Sequence, residues 1–246
     1  MTKISAGSYD LNKWLFGGYE TDIVTVLYGG PGTGKTNFVL LCAVSQAKKG
    51  NKVIFIDTEG GFSVERVRQL LNDKDKTSEG KIDEKFVLEN ILLLKPTSFE
   101  EQKKDFEKLL KNLDEHVSLI VVDSMTILYR LDFAVAREKS ENEIQKINSE
   151  LVRQIKTLAE IARKKEIPVL VTNQVYKWGE KNLEGTKEIF TQMVGGDILK
   201  YWGKCLIELE NDKGRRIAFL RKHRSLPEKS LSFQIYDGGI RKKGWI

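Results

Sequence analysis

The chain has 246 residues, of which 40% are apolar and 31% charged, with a net charge of +6. That length suits one α/β domain around a single large core. No apolar run approaches the eighteen or so residues that a membrane span needs. The opening Met1-Thr2-Lys3-Ile4-Ser5-Ala6-Gly7 lacks the apolar stretch of a secretory signal, so a cytoplasmic location is expected. Cys42 and Cys205 have no paired spacing of a zinc site or disulfide framework and read as buried apolar residues. The basic excess is local: from Lys200 onward 12 Lys and Arg stand against 5 Asp and Glu, so this end holds +7 and the rest −1. Such an end either meets phosphates or forms a solvated face.

Asp22 to Tyr28 is a β-branched apolar run that predicts a buried strand, and the glycine-rich turn after it opens a helix that ends at Gly50-Asn51. Lys52 to Asp57 reads as the next strand. Val64, Val67, Leu70 and Leu71 space a helix from Ser63 to Leu71, whereas Asn72 to Lys85 is polar, has no period and reads as a surface loop. Ile91 to Leu94 is a third apolar run, and Ser98 with Glu101 makes a capping box that opens a helix through Leu113. Leu119 to Asp123 is the fourth run. Ile144, Ile147, Leu151, Ile155, Leu158 and Ala162 mark a long amphipathic helix, and Pro168 to Thr172 returns as a strand. After Gly195-Gly196, the runs Cys205 to Glu210, Arg216 to Arg221 and Leu231 to Tyr236 are separated by turn residues and predict antiparallel strands. The order predicts an α/β fold: a twisted, mostly parallel sheet with helices on both faces and a C-terminal antiparallel edge.

Gly29-Gly30-Pro31-Gly32-Thr33-Gly34-Lys35-Thr36 lies between a predicted strand and a predicted helix, the context in which this pattern binds nucleotide phosphates. Glycines let backbone N–H groups converge on an anion without interference from Cβ, and a helix N-terminus adds partial positive charge. Lys35 is expected to meet the β- and γ-phosphates of ATP, and the Thr36 hydroxyl to ligate magnesium. Asp123, the first carboxylate after four apolar residues, stands where a buried strand opens into a crevice and is expected to hold the same ion. Glu59, in Asp57-Thr58-Glu59-Gly60-Gly61, is the expected general base for the attacking water.

With Val171-Thr172-Asn173-Gln174 added in order, the chain resembles a RecA-family recombinase core. The resemblance implies that Gln174 reads the γ-phosphate and relays its presence to the loop that follows. Gly7 to Gly18 resembles the segment that opens archaeal and eukaryotic cores, and Gly195-Gly196-Asp197 and Leu226-Pro227-Glu228 extend the likeness over nearly the whole chain. It implies one RecA-like P-loop ATPase domain over 1–246, without the N-terminal helical DNA-binding domain and docking linker of full recombinases. Short cores of this kind occur among archaeal paralogues that assist the main recombinase, RadA. Arg66 aligns with an arginine that stacks on adenine, with Arg68 close enough to compete. Lys222-His223-Arg224 matches a basic pair, shared with KaiC-like ATPases, that reaches the neighbouring subunit's γ-phosphate. Lys222 and Arg224 are therefore expected to project onto the next subunit in a ring or filament.

In the family two loops hold single-stranded DNA. Here they run from Tyr129 to Ser140, offering Arg130 and Arg137, and from Tyr176 to Val194, offering Lys177, Trp178 and Lys181. Cations beside aromatics suit a site that tracks a backbone and stacks bases. The expected activity is a DNA-dependent ATPase of low turnover, accessory to homologous recombination and DNA repair. The expected partners are single-stranded DNA, further copies of the chain or a RadA-type recombinase, and a Holliday-junction resolvase; no membrane is expected. Two other readings stand beside it. A KaiC-like signalling ATPase would form rings without DNA, and a duplicated core or a phosphosite tail would favour it. A non-catalytic recombination adaptor is opposed by Glu59, Gln174 and the Lys222/Arg224 pair.

Overall fold

Strands that bury both faces read as unbroken apolar runs, and the longest runs of this chain form the centre of a ten-stranded sheet. The structure, a computed structural model, describes residues 2–72, 83–181 and 187–244, and between 177 and 191 the backbone alone. The chain opens with β1 (Lys3–Ile4), α1 (Tyr9–Trp14) and β2 (Tyr19–Glu20), with β1 and β2 paired as a two-stranded ribbon. These elements are too short to show a period, and the sequence did not predict them.

Next come β3 (Val24–Gly29), α2 (Lys35–Ala47), β4 (Lys52–Asp57) and α3 (Val64–Leu71), close to the predicted bounds. Ser63 caps α3 by accepting from the Arg66 N–H. Of the expected loop Asn72 to Lys85, residues 73–82 lie outside the described residues, and its end is already α4 (Glu84–Glu89). After β5 (Ile91–Leu94), α5 (Phe99–Lys111) is capped by Ser98, whose hydroxyl accepts from the Glu101 N–H at 3.1 Å. The returning half of the capping box falls one residue earlier: the Glu101 carboxylate accepts from the Thr97 N–H and hydroxyl at 2.7 and 2.8 Å.

β6 (Val117–Asp123) leads into two elements that correct the expected DNA loops. Tyr129 to Ser140 is not a loop but α6 (Ile127–Lys139), which packs against α7 (Glu141–Lys165) as a helical hairpin. Leu128, Tyr129 and Ala136 bury one side of α6, and Ser140 ends it while capping α7 through the Glu143 N–H. Tyr129, Phe133 and Ala136, buried or half-buried, therefore belong to one face of a helix. Tyr176 to Val194 is likewise a hairpin: β7 (Val169–Lys181) runs on past Thr172 and pairs antiparallel with β8 (Lys187–Met193).

α8 (Gly196–Trp202) precedes a meander of β9 (Gly203–Asp212), β10 (Arg215–Lys222), β11 (Lys229–Tyr236) and β12 (Gly239–Lys242). The sheet order is β12-β11-β10-β9-β3-β7-β6-β4-β5, parallel from β9 to β5 and antiparallel from β9 to β12. Along β6, Leu119 and Val121 enter one core while Ile120 and Val122 enter the other. The first core is closed by α1 to α4, and the second by α5 to α8. The meander contributes Cys205, Ile207, Leu209, Ala218, Leu220, Leu231, Phe233 and Ile240 to the first core and, among the described buried residues, only Leu206 to the second. Phe233 meets Phe38 of α2 edge to face at 5.1 Å, which fixes the meander beside the head of that helix.

Candidate nucleotide-binding site

The carboxyl ends of β3, β4, β6 and β7 meet on one side of the sheet, and every strongly predicted nucleotide residue stands there. Gly29 has no room for a side chain, since a Cβ would lie 2.2 Å from the Leu209 carbonyl oxygen. Gly34 begins α2 at φ 108°, and a Cβ there would press on Ile235 at 2.9 Å. At Gly30 and Gly32, by contrast, a Cβ would meet nothing within 4 Å, so these glycines line an open cradle. The Thr33 hydroxyl donates to the Gly30 carbonyl at 2.9 Å and closes the turn. The first turn of α2 has neither a side-chain cap nor an acidic residue, so its N–H groups face the cradle free for an anion. Lys35 folds over the loop, donating to the Gly29 and Gly30 carbonyls at 3.1 and 2.9 Å. Burial lowers its pKa, against the pull of Glu59 and Asp123.

Asp123 is buried at the end of β6. Its Oδ1 accepts from the Thr172 hydroxyl, and the Thr36 hydroxyl stands beside the carboxylate. Oδ2 is buried without a partner among the described residues, and burial pushes the pKa up to about 6. An orphaned, desolvated carboxylate oxygen beside a threonine hydroxyl and an open phosphate cradle fits magnesium with a nucleotide triphosphate. Among the described residues no group of three or more His, Cys, Asp and Glu could hold a metal alone, so the phosphates must complete the coordination.

Glu59 owes its place to Asp57, which the sequence reading passed over. The buried Asp57 carboxylate accepts from the Gly61 and Phe62 N–H groups, each at 3.0 Å, and folds residues 58–62 into a tight turn. The Thr58 hydroxyl ties that turn to β6, donating to the Ser124 carbonyl and accepting from the Ser124 N–H, both at 2.7 Å. Glu59 then faces Gln174, whose amide donates to both carboxylate oxygens at 3.1 and 3.2 Å. The expected base and the expected γ-phosphate reader, 115 positions apart, are in direct contact.

Three successive residues at this end of β7 touch three different parts of the site. Thr172 orients Asp123, and Gln174 meets Glu59. Between them Asn173, fully buried, accepts from the Thr126 hydroxyl just before α6 and donates to the Val194 carbonyl just after β8 at 2.7 Å. Asn173 therefore joins the two elements read as DNA loops, directly beside Thr172, which orients Asp123, and Gln174, which meets Glu59. The motif contains Asn173 without assigning it a role; a polar amide between an apolar strand and the expected γ-phosphate reader Gln174 is the signal in the sequence.

Arg66 holds the far wall. Its guanidinium donates to the Asn37 and Gln69 side chains at 3.0 and 2.8 Å and to the Tyr236 and Asp237 carbonyls at 2.8 and 3.0 Å. The in-plane donors are thus committed to α2, α3 and the β11–β12 turn. Arg68 is paired with Glu84 and Glu65 and does not compete.

The basic pair is corrected in its setting. Lys222 pairs with Leu206, which lies beside Val26 of β3, roughly 10 Å along the strands from the phosphate loop at Gly29. Its ammonium donates to the Lys200 and Gly203 carbonyls at 2.8 and 2.9 Å. Arg224 forms ion pairs with the buried Glu20 at 2.6 Å and with Asp22 at 2.5 Å. Neither side chain projects freely, because each is held by groups of its own chain. Of the DNA residues, Arg130 and Arg137 are exposed on α6. Lys177, Trp178 and Lys181 fall on the β7–β8 hairpin, and their side chains lie outside the described residues.

Fold and site together define a RecA-like P-loop ATPase core. The family model described as Rad51 matches residues 1–243, and the chain belongs to that family. Within it the chain is similar to proteins named DNA repair and recombination protein RadB. The one from Methanobrevibacter smithii is 37% identical over 236 residues, covering 94% of this chain and 92% of the relative. The one from Methanocaldococcus jannaschii is 37% identical over 230 residues, covering 94% and 98%. A solved structure, the crystal structure of the RadB recombinase, superposes with a TM-score of 0.74 at 30% identity, covering 98% of this chain and all of that one. The chain is thus a RadB-like recombinase paralogue, and among the described residues no helix is long and apolar enough to cross a membrane.

Proposed function

We propose that the chain binds ATP with magnesium, hydrolyses it slowly, and serves homologous recombination and DNA repair as a DNA-binding accessory. The observation that carries this reading is the Glu59–Gln174 contact beside Asp123, Thr36 and the open phosphate cradle. The cradle N–H groups and Lys35 hold the β- and γ-phosphates, the lysine exchanging two loop carbonyls for phosphate oxygens. Thr36 and Asp123 hold magnesium, which neutralises charge on the phosphates when bound. Glu59 takes a proton from the attacking water, and Gln174 holds that carboxylate in position while sensing whether the γ-phosphate is present. Arg66 presents a guanidinium face to the base.

Single-stranded DNA is the proposed partner of α6, through Arg130 and Arg137, and of the β7–β8 hairpin, through Lys177, Trp178 and Lys181. The relatives' names support a role in repair and recombination. Association with further copies or with a RadA-type recombinase, and with a Holliday-junction resolvase, belongs to the same reading. A finger role for Lys222 and Arg224 requires the assembly to replace their present partners with a neighbour's phosphate. DNA binding measured across salt tests the nucleic-acid half of the reading. Affinity should fall steeply with salt and more weakly in Arg130→Ala/Arg137→Ala, because phosphate neutralisation supplies it. No binding at low salt, or a flat salt dependence, contradicts it.

A further inference from the structure

The side of an amphipathic helix that faces a core is ordinarily apolar, yet two helices of the second core each place a fully buried amide there. On α5 the buried stripe includes Phe99, Gln102, Phe106 and Leu109, and on α7 it includes Leu151, Gln154, Ile155 and Leu158. Amides at such depth cost stability wherever their atoms go unbonded, and two apolar side chains of the same size would pack in their place. What the two glutamines bond to is therefore informative.

They bond to each other and to the segment that follows β6. The Gln102 side-chain amide donates to Gln154 Oε1 at 2.8 Å and to the Met125 carbonyl at 3.3 Å. Gln154 donates in turn to Glu150 at 2.9 Å, and Arg153 holds that carboxylate at 2.8 Å. On its other side the Met125 N–H donates to the Thr172 carbonyl at 3.0 Å, and the Thr172 hydroxyl donates to Asp123 Oδ1. Hydrogen bonds joined by single residues thus lead from α7 to Asp123. Residues 124–126 are also held from the sheet, since Thr58 bonds both backbone groups of Ser124 and Asn173 bonds the Thr126 hydroxyl. Gln102 supplies the hold from α5, outside the sheet. Three buried polar atoms in this neighbourhood nevertheless have no partner among the described residues: Asp123 Oδ2, Ser124 Oγ and Gln102 Oε1. A network built for stability alone satisfies its buried atoms, and this one does not.

We infer that Gln102, kept in orientation by Gln154, is a positioning residue for the metal carboxylate. It fixes Met125, Met125 fixes Thr172, and Thr172 sets the direction in which Asp123 turns its free oxygen. The inference rests on the magnesium role proposed for Asp123. Both glutamines act through other residues. Groups that bond a ligating side chain commonly change metal affinity by roughly ten- to a hundredfold, and Gln102 stands further out than Thr172, so its effect is the smaller.

The test titrates Mn2+ into the full chain with the non-hydrolysable nucleotide AMP-PNP, held below the protein concentration, and follows bound metal by electron paramagnetic resonance. Gln102→Met keeps the volume and the helix preference and removes the donor. It should bind Mn2+ at least about fivefold more weakly than the parent. Its affinity for AMP-PNP in metal-free buffer should not change, because the phosphate cradle and Lys35 are untouched, whereas a general loosening of the core would lower both. Gln154→Met should weaken Mn2+ binding less, and should add nothing in a Gln102→Met background, since one relay is not broken twice. The double variant removes both amides together, so its urea midpoint should stay close to the parent's. If Gln102→Met alone fails to fold, the double variant carries the same readout. Parent-like Mn2+ affinity in these variants, a parallel fall in metal-free AMP-PNP affinity, or additive losses in the double variant overturns the inference. Asp123→Asn separates it from the reading beneath it. Weak Mn2+ binding in Asp123→Asn beside a parent-like Gln102→Met overturns the positioning role alone, whereas parent-like binding in Asp123→Asn removes the metal site and the positioning role together.

Discussion

The raised pKa of Asp123 makes the metal role proposed for it measurable. Burial raises its pKa from the ordinary 3.8 to about 6, so the folded state favours the neutral carboxyl. That contribution to stability is whole below 3.8 and is lost as the pH rises through about 6. Magnesium requires the ionised form, so magnesium-dependent ATP affinity should fall below about pH 6, by up to about tenfold per unit. Calorimetry of the parent beside Asp123→Asn checks this, because the variant should be weak at every pH and lose the slope. A parent profile that is flat through this range removes Asp123 from the metal site. Lys35→Ala should lower ATP affinity by roughly ten- to a hundredfold, the worth of a charge-assisted bond to phosphate in a partly desolvated cradle. Unchanged affinity in the same calorimeter would exclude the cradle as the nucleotide site.

At the scale of elements, Asn173 is the joint between the nucleotide end of β7 and the paths into α6 and out of β8. Asn173→Ala leaves the Thr126 hydroxyl and the Val194 carbonyl unsatisfied in the interior, which should cost about 2–4 kcal/mol in urea unfolding. It should also weaken any effect of DNA on ATP turnover, and parent-like stability would contradict the role. Much of this level was legible in advance. The phosphate loop, β4, β6 and the long helix α7 announce themselves by glycine spacing, unbroken apolar runs and a helical period. Glu59 and Gln174 were named from motif alone, but their contact depends on the turn that Asp57 folds, a tertiary effect with no local signal. α6 was misread because a helix laid against another helix needs only a few buried side chains, here Leu128, Tyr129 and Ala136, and these resemble the anchors of a loop. Lys222 and Arg224 were legible as a basic pair, yet Lys222 is held by two backbone carbonyls, which carry no sequence signal, and the partners of Arg224, Glu20 and Asp22, lie some two hundred positions earlier.

The whole molecule raises the question of assembly. Arg224 neutralises the buried Glu20, so Arg224→Ala should destabilise the isolated chain by about 1.5–3 kcal/mol in urea unfolding. A finger free of intrachain duty would lose nothing measurable. The central claim is that Glu59, aligned by Gln174, activates water at a nucleotide held by the phosphate loop in a protein that answers to DNA. Steady-state ATP turnover of the parent and of Glu59→Gln, with and without single-stranded DNA and across protein concentration, tests it most directly. The parent should turn over slowly, faster with DNA and at higher concentration, while Glu59→Gln should bind ATP with parent-like affinity and turn over roughly a hundredfold more slowly. Equal turnover in the two proteins, indifferent to DNA, would contradict the account.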